Sequence, residues 1–426
     1  MSPLPPFLAL LLALPSTLCA ASAIILHNQC HRELKLQTHN LFSSKASTES
    51  LTIELADPII PDPNPLLFSL PWPWTQAPTC IAPIPSVPSR LCVFTSSTFA
   101  DGRGISIVTT PELARHAASL PAFTSPALLR SAKINEPTNL WHSTSIPGKG
   151  IGSLASQAIP PDTQILSHTP AFIAYLEHAL PSLAREALWH TAISRLPTQT
   201  RQSFLDLSYV HQDPRVRTQA IVQANTFQLT LGGANHLAIF PETSRLNHDC
   251  APNAQYVIDG EMLSHTVRTT RQVKEGEELG IAYTSPLEKA EVRRARMREG
   301  FGFECGCARC VDQERSDEVL KRIEELQNEL GNWGAGSRGS PEMAERLVEL
   351  YMQEGLEGFL DVPFGHAALA CNAVGDVEGA MRWAERARRA VLGKDGRDAA
   401  ALRVWREVLR DARRHWSYKR RPNSDA

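Results

Sequence analysis

Asn247-His248-Asp249-Cys250-Ala251-Pro252-Asn253, entered through Ser244-Arg245-Leu246, is the stretch on which the reading of this chain turns. It sets an amide, an imidazole, a carboxylate and a thiol side by side. Pro252 then interrupts regular structure. Downstream lies Cys305-Gly306-Cys307-Ala308-Arg309-Cys310, preceded by Phe301-Gly302-Phe303. Upstream lies Gly148-Lys149-Gly150-Ile151-Gly152, and between the two comes Gly276-Glu277-Glu278-Leu279-Gly280-Ile281-Ala282-Tyr283. Three thiols at this spacing read as ligands wrapping one metal from a short loop. They also admit a disulfide knot or three reduced surface cysteines.

Around this centre the chain is 426 residues long, enough for two or three domains. Lys+Arg number 43 against 45 Asp+Glu, a net charge of -2, so nothing demands a nucleic-acid or anionic-membrane partner. The N-terminal third is poor in charge and rich in proline, whereas the C-terminal quarter is dense in Arg and Glu. Phe7 to Leu14 is an apolar run, followed by Pro15 and the small residues Ala21-Ser22-Ala23. This predicts a cleaved signal peptide over 1–23, although no Lys or Arg precedes the run. The run is shorter than the roughly 20 apolar residues a bilayer span needs. A real signal implies the secretory pathway; otherwise the nucleus or cytoplasm is expected. Cys80 and Cys92 are equally readable as a disulfide or as two half-buried thiols, and Cys30 and Cys371 stand apart.

Residues 24–142 read as a proline-rich region with short strands at Leu91–Phe94 and Ile105–Thr109, then a loop-rich stretch to Trp141. Short strands follow from Gly148. Residues 171–225 carry a mixed three-to-five spacing of apolar residues that predicts short helices broken at Pro181 and Pro197. Strands and turns return over 226–284. Beyond 313 the pattern is helical, with Leu320, Ile323, Leu326 and Leu330 on one stripe. Gly375-Asp376, Ala380, Trp383, Ala384 and Ala387 suggest a tetratricopeptide-like hairpin, or equally an irregular bundle. The arginines of this region, Arg382 to Arg389 and Arg410 to Arg414, read as solvated faces of amphipathic helices.

The four motifs, in this order, resemble the SET-domain family of protein lysine methyltransferases. The resemblance covers roughly 145–312. It is nearest to the SET-MYND type and its fungal relatives, but 171–229 holds no MYND-like cysteine cluster. It implies an α+β fold: a β-clip of small twisted sheets, the Asn-His segment threaded as a pseudoknot, a zinc-binding post-SET loop and a C-terminal α-helical region. The implied organisation is a SET domain over 143–312 with a helical insert at about 171–225, and a helical region over 313–426, either tetratricopeptide-like or an irregular bundle.

The resemblance also implies roles. S-adenosyl-L-methionine would be held by Lys149, Gly150, Ile151, Gly152, Asn247, His248, Tyr283 and Phe303. A structural zinc would be held by Cys250, Cys305, Cys307 and Cys310. Tyr283 would be the active-site tyrosine, and Phe301 would stand where SET-MYND enzymes often carry a second channel tyrosine. Asp249, Gly280 and His168 depart from the family's usual residues without removing a named ligand. The implied reaction is methyl transfer to a lysine of a histone or another protein. The alternatives are a non-catalytic SET-fold binding module, or a secreted protein in which the cysteine loop is a disulfide knot.

Overall fold

A computed structural model describes residues 60–61, 73–334 and 336–421. The segment 1–23, read as a signal peptide, lies outside them, as do Cys19 and Cys30. Among the described residues no helix is long and apolar enough to cross a membrane.

The fold is α+β. In chain order the strands are β1 (Ile60–Pro61), β2 (Thr79–Cys80), β3 (Cys92–Ser96), β4 (Ile105–Thr109), β5 (Trp141–Ile146), β6 (Gly150–Ala155), β7 (Gln164–His168), β8 (Phe172–Tyr175), β9 (Thr226–Leu231), β10 (Ala234–Ile239), β11 (Asn247–His248), β12 (Ala254–Asp259), β13 (Ser264–Thr269) and β14 (Gly280–Ile281). They form a seven-stranded sheet ordered β1-β2-β3-β4-β8-β10-β9, a three-stranded sheet β12-β13-β7, a β5-β6 hairpin and a β11-β14 pair. The described part of the N-terminal region contributes strands to this sheet. Its β4 pairs in parallel with β8, setting Ile107 against Ile173. Cys80 and Cys92 face each other across β2 and β3 and are joined as a disulfide.

Two expectations about local structure need correction. Residues 172–175 are a strand, not the start of a helix. Phe172, Ile173 and Ala174 are fully buried between β4 and β10. A short continuous apolar run fits a buried strand as well as a helix, and periodicity cannot arbitrate. Helix begins only at Ser182. The stretch before Trp141 is not all loop either. It contains α1 (Pro111–Ser119), started by Thr110, whose hydroxyl accepts from the Leu113 amide at 3.3 Å, with Pro111 in the first turn.

Three helices cover the sheet between β8 and β9: α2 (Ser182–Ser194), α3 (Thr198–Leu205) and α4 (Arg217–Asn225). Leu188, Trp189, Ile193, Phe204 and Ile221 bury against Phe172 and Leu237. After β14, α5 (Ala290–Phe301) leads into the cysteine loop. The C-terminal region then runs α6 (Gln313–Gly331), α7 (Pro341–Gln353), α8 (Asp361–Val374), α9 (Val377–Asp395) and α10 (Ala401–Arg410). The stripe Leu320, Ile323, Leu326 and Leu330 is buried against α7 and α8. Gly375, in the left-handed conformation at φ +90°, ends α8. Asp376 then caps α9 by accepting from the Gly379 amide at 2.8 Å, so two residues turn one helix into the next. Cys371 is a buried free thiol in this core.

Candidate active site and thiol cluster

The β5-β6 hairpin turns at Gly148 and Gly150, both at positive φ, +74° and +79°. This sends 150–155 along one side of the Gly276–Ile281 segment. The Leu279 amide donates to the Ser153 carbonyl at 2.8 Å, and the Ala155 amide to the Glu277 carbonyl at 2.9 Å. On the other side, β11 pairs in parallel with β14, Asn247 opposite Gly280 and His248 opposite Ile281. Three motifs separated by up to 130 positions thus become three neighbouring strands.

Their side chains meet in one network. Asn247 donates to Glu278 Oε1 at 2.9 Å, and Lys149 Nζ donates to Glu278 Oε2 at 2.6 Å. Burial works against the Lys149 ammonium, but the Glu278 carboxylate outweighs it and holds the pKa above its ordinary value. Asn253 donates to the Glu278 carbonyl at 2.8 Å and accepts from the Gly280 amide at 2.9 Å. Gly152 has no spare room: a Cβ there would lie 2.6 Å from Asn247 Nδ2 and 3.0 Å from Glu278 Oε1. Lys149, Asn247, His248, Asn253, Glu278 and Gly280 line a polar recess of about 180 Å³. Ligand pockets are typically about 300–1,000 Å³, so the recess takes only part of a nucleotide-sized molecule.

The other face of this centre is aromatic. His248 is buried, and its Nδ1 accepts from the Tyr283 amide at 3.0 Å. Its Nε2 therefore carries the proton and points it at Cys250 Sγ, 3.3 Å away. The Tyr283 hydroxyl donates to the Leu246 carbonyl at 2.7 Å, next to the start of β11. Burial, with a contribution from the Glu278 charge, pushes the phenol above its usual range, so it is a neutral donor and not a base. The Tyr283 ring lies 4.9 Å from Phe301 and 5.4 Å from His248, and Phe303 lies 6.4 Å from His248. Gly302 explains how two phenylalanines so close in sequence reach one site. It takes φ +76° and ends α5 in a Schellman turn, with the Gly302 amide on the Arg298 carbonyl and the Phe303 amide on the Met297 carbonyl.

Beside the rings, Cys250, Cys305, Cys307 and Cys310 bring their sulfurs within 4.8 Å of one another. Cys250 Sγ is 3.7 Å from Cys310 Sγ and 4.0 Å from Cys305 Sγ. Four sulfurs tetrahedrally placed at about 2.3 Å from zinc would stand about 3.8 Å apart, so the cluster is compatible with that ion. All four thiols are free, and the disulfide-knot reading falls. The donor set is closed, leaving no position for a reactive water.

Lys149, Gly152, Asn247, His248, Tyr283, Phe301, Phe303 and the four cysteines thus lie close together, whereas Gly150 and Ile151 are exposed on the β5-β6 hairpin and His168 lies apart on β7. What sequence reasoning missed is the connecting tissue. Glu278, which bridges Lys149 and Asn247, sat in a quoted motif without a role. Arg293, fully buried on α5, donates Nε to Cys250 Sγ at 3.3 Å and had no local signal. Asp249, noted as a departure, caps the turn by accepting from the Ala251 amide at 2.7 Å, and burial raises its pKa to about 6.

Comparison with known proteins fits this geometry. Residues 150–284 match the SET domain family. The chain is similar to histone-lysine N-methyltransferase set5 of Schizosaccharomyces pombe, 26% identical over 291 residues, which cover 65% of this chain and 86% of that protein. It is 36% identical over 94 residues to histone-lysine N-methyltransferase SMYD3 of Mus musculus, 22% of each chain. Against N-lysine methyltransferase SMYD2 of Homo sapiens it is 31% identical over 124 residues, 29% of this chain and 28% of that protein. The alignments to the two SMYD proteins thus span less than a third of those proteins' lengths.

Proposed function

This chain belongs to the SET-domain lysine methyltransferase family, and on that premise we propose that it transfers a methyl group from S-adenosylmethionine to a lysine amine of a protein substrate. The observation that carries the reading is the meeting of β6, β11 and β14 beside Tyr283 and a four-thiol cluster. Histones are the first substrates to test, since set5 and SMYD3 bear that activity in their names. Residues 143–312 would supply the chemistry, and the helices of 313–426 would wall the cleft that admits the substrate.

The proposed roles follow from chemistry. Backbone at Lys149, Gly150, Ile151 and Gly152, with Asn247 and His248, would hold the cofactor, and Phe303 would offer a ring face to its adenine. Gly152 fits this role because nothing larger leaves Asn247 and Glu278 in place. The cofactor, when bound, supplies a methyl on a positively charged sulfur. The rest is the protein's task. A free lysine titrates near roughly 10.4. The Tyr283–Phe301–Phe303 surface would strip water from the amine and favour its neutral form. Tyr283 would orient the nucleophile with its hydroxyl, because its proton is held too tightly for it to act as a base. The neutral amine would displace the sulfur leaving group by taking the methyl, and would then shed its extra proton to water. Zinc, bound by Cys250, Cys305, Cys307 and Cys310, would be structural.

Calorimetric titration with S-adenosylmethionine tests the cofactor assignment. Binding heat is expected from the parent and not from Asn247→Ala, which loses the hydrogen bond to Glu278. No heat from either protein would overturn the reading. A second expectation concerns product. Phe301→Tyr puts a hydroxyl beside Tyr283, whose ring centroid is 4.9 Å away, and should shift the products toward fewer methyl groups per lysine. Identical mass spectra of the products from parent and variant would remove Phe301 from the channel.

A further inference from the structure

Two arginines are buried against the thiol cluster: Arg293 on α5, outside the motifs, and Arg309 within the cysteine loop. Arg293 is fully buried. Its Nε points at Cys250 Sγ, one Nη donates to the Glu288 carbonyl, and the other is buried without a hydrogen-bond partner.

Arg309 sits inside the cysteine loop and is 2% exposed. It donates to the Cys250 carbonyl at 2.6 Å and the Pro286 carbonyl at 3.0 Å, and its Nε pairs with Glu354 Oε2 at 2.7 Å. Glu354 comes from the far side, at the C-terminal end of α7, with its side chain fully buried. Its carboxylate also accepts from Ser316 Oγ at 2.8 Å and, through Oε1, from Arg315 at 2.7 Å. The next residue, Gly355 at φ +67°, leaves only 2.8 Å between a would-be Cβ and Ala251 Cβ. The C-terminal helices are therefore clasped onto the backbone of Cys250-Ala251, two residues from His248.

We propose that Glu354 is a positioning residue of the thiol cluster: through Arg309 it holds Cys250 where the cluster can retain a metal, and thereby ties metal retention to docking of the C-terminal helices. This rests on the zinc reading above. Groups that orient metal ligands from outside typically change metal affinity roughly 10–100-fold when altered.

The test uses the full chain loaded with zinc. Metal content is measured first, then the rate of zinc transfer to a chromophoric chelator well below the melting transition. Glu354→Gln should release zinc roughly 10–100-fold faster than the parent. Arg309→Lys, which keeps the charge but loses the forked donation, should also accelerate release and serves if the glutamine variant does not fold. Arg315→Ala removes only the partly exposed partner of Glu354 and should stay within about twofold of the parent. A merely structural role for Glu354 predicts a lower Tm with unchanged release well below it. Unchanged release in Glu354→Gln and Arg309→Lys from a zinc-loaded parent would overturn this inference alone. A parent that takes up no zinc would instead overturn the metal reading on which it rests.

Discussion

Exchanging Cys307 for serine, or stripping the metal with a strong chelator, is expected to abolish both cofactor binding and methyl transfer while leaving the C-terminal helical core folded. A structural zinc site contributes apparent binding free energies of about 10–16 kcal/mol, comparable with the about 5–15 kcal/mol that separates a whole domain from its unfolded state. Apart from the metal, the cysteine loop is held chiefly by Arg309, through its bonds to the Cys250 and Pro286 carbonyls and to Glu354. Gly306 and Glu304 are exposed, and only a one-turn helix at Ala308–Val311 orders its end. The damage should spread along the contacts seen here. Phe303 and Phe301 pack on the cluster, and Cys250 is both one of its four thiols and a hydrogen-bond partner of His248. The core of α8, α9 and α10 has its own apolar packing and should persist. Hydrogen exchange checks this: protection should fall over 247–253 and 297–312 and stay unchanged over 361–395. Retained activity in a protein proved zinc-free would show the cluster to be dispensable.

Tyr283→Phe should reduce turnover by roughly 100-fold, the loss expected when a reacting group is misplaced by about 1 Å, while cofactor affinity changes little. The separation follows from which atoms do what. The Tyr283 amide, which the substitution keeps, donates to His248 Nδ1 and fixes that ring. Only the hydroxyl goes, and with it the bond to the Leu246 carbonyl. That bond is worth about 0.5–1.5 kcal/mol, too little to unfold a ring still packed against Phe301 and His248. Single-turnover transfer to a peptide array, alongside calorimetry, reads the two effects separately. Unchanged turnover with intact binding would take Tyr283 out of the reaction.

How much of this was legible beforehand depended on how local each signal was. Cys305, Cys307 and Cys310 are readable because six residues carry the whole geometry of a metal loop. Gly302 could have been read as a helix end, since a left-handed residue there is a matter of short range. The stripe at Leu320, Ile323, Leu326 and Leu330 was legible for the same reason. Phe172–Tyr175 was misread because its burial comes from β4 and β10, which are far away in sequence. Arg293 and Glu354 were invisible: an arginine and a glutamate on polar-looking helices read as solvent-facing until tertiary packing buries them. Cys80 and Cys92 were undecided because only strand pairing places them opposite each other.

The joining of β4 to β8 bears on where this protein can be divided. The matched stretch begins at residue 150, yet β8 within it has on one side a neighbour drawn from residues 105–109. Excising the stretch would bare a row of unpaired amides beside Phe172, Ile173 and Ala174, a rim ready to recruit any other chain. A fragment that begins at residue 150 is therefore expected to aggregate, whereas one that keeps β4 should stay in solution.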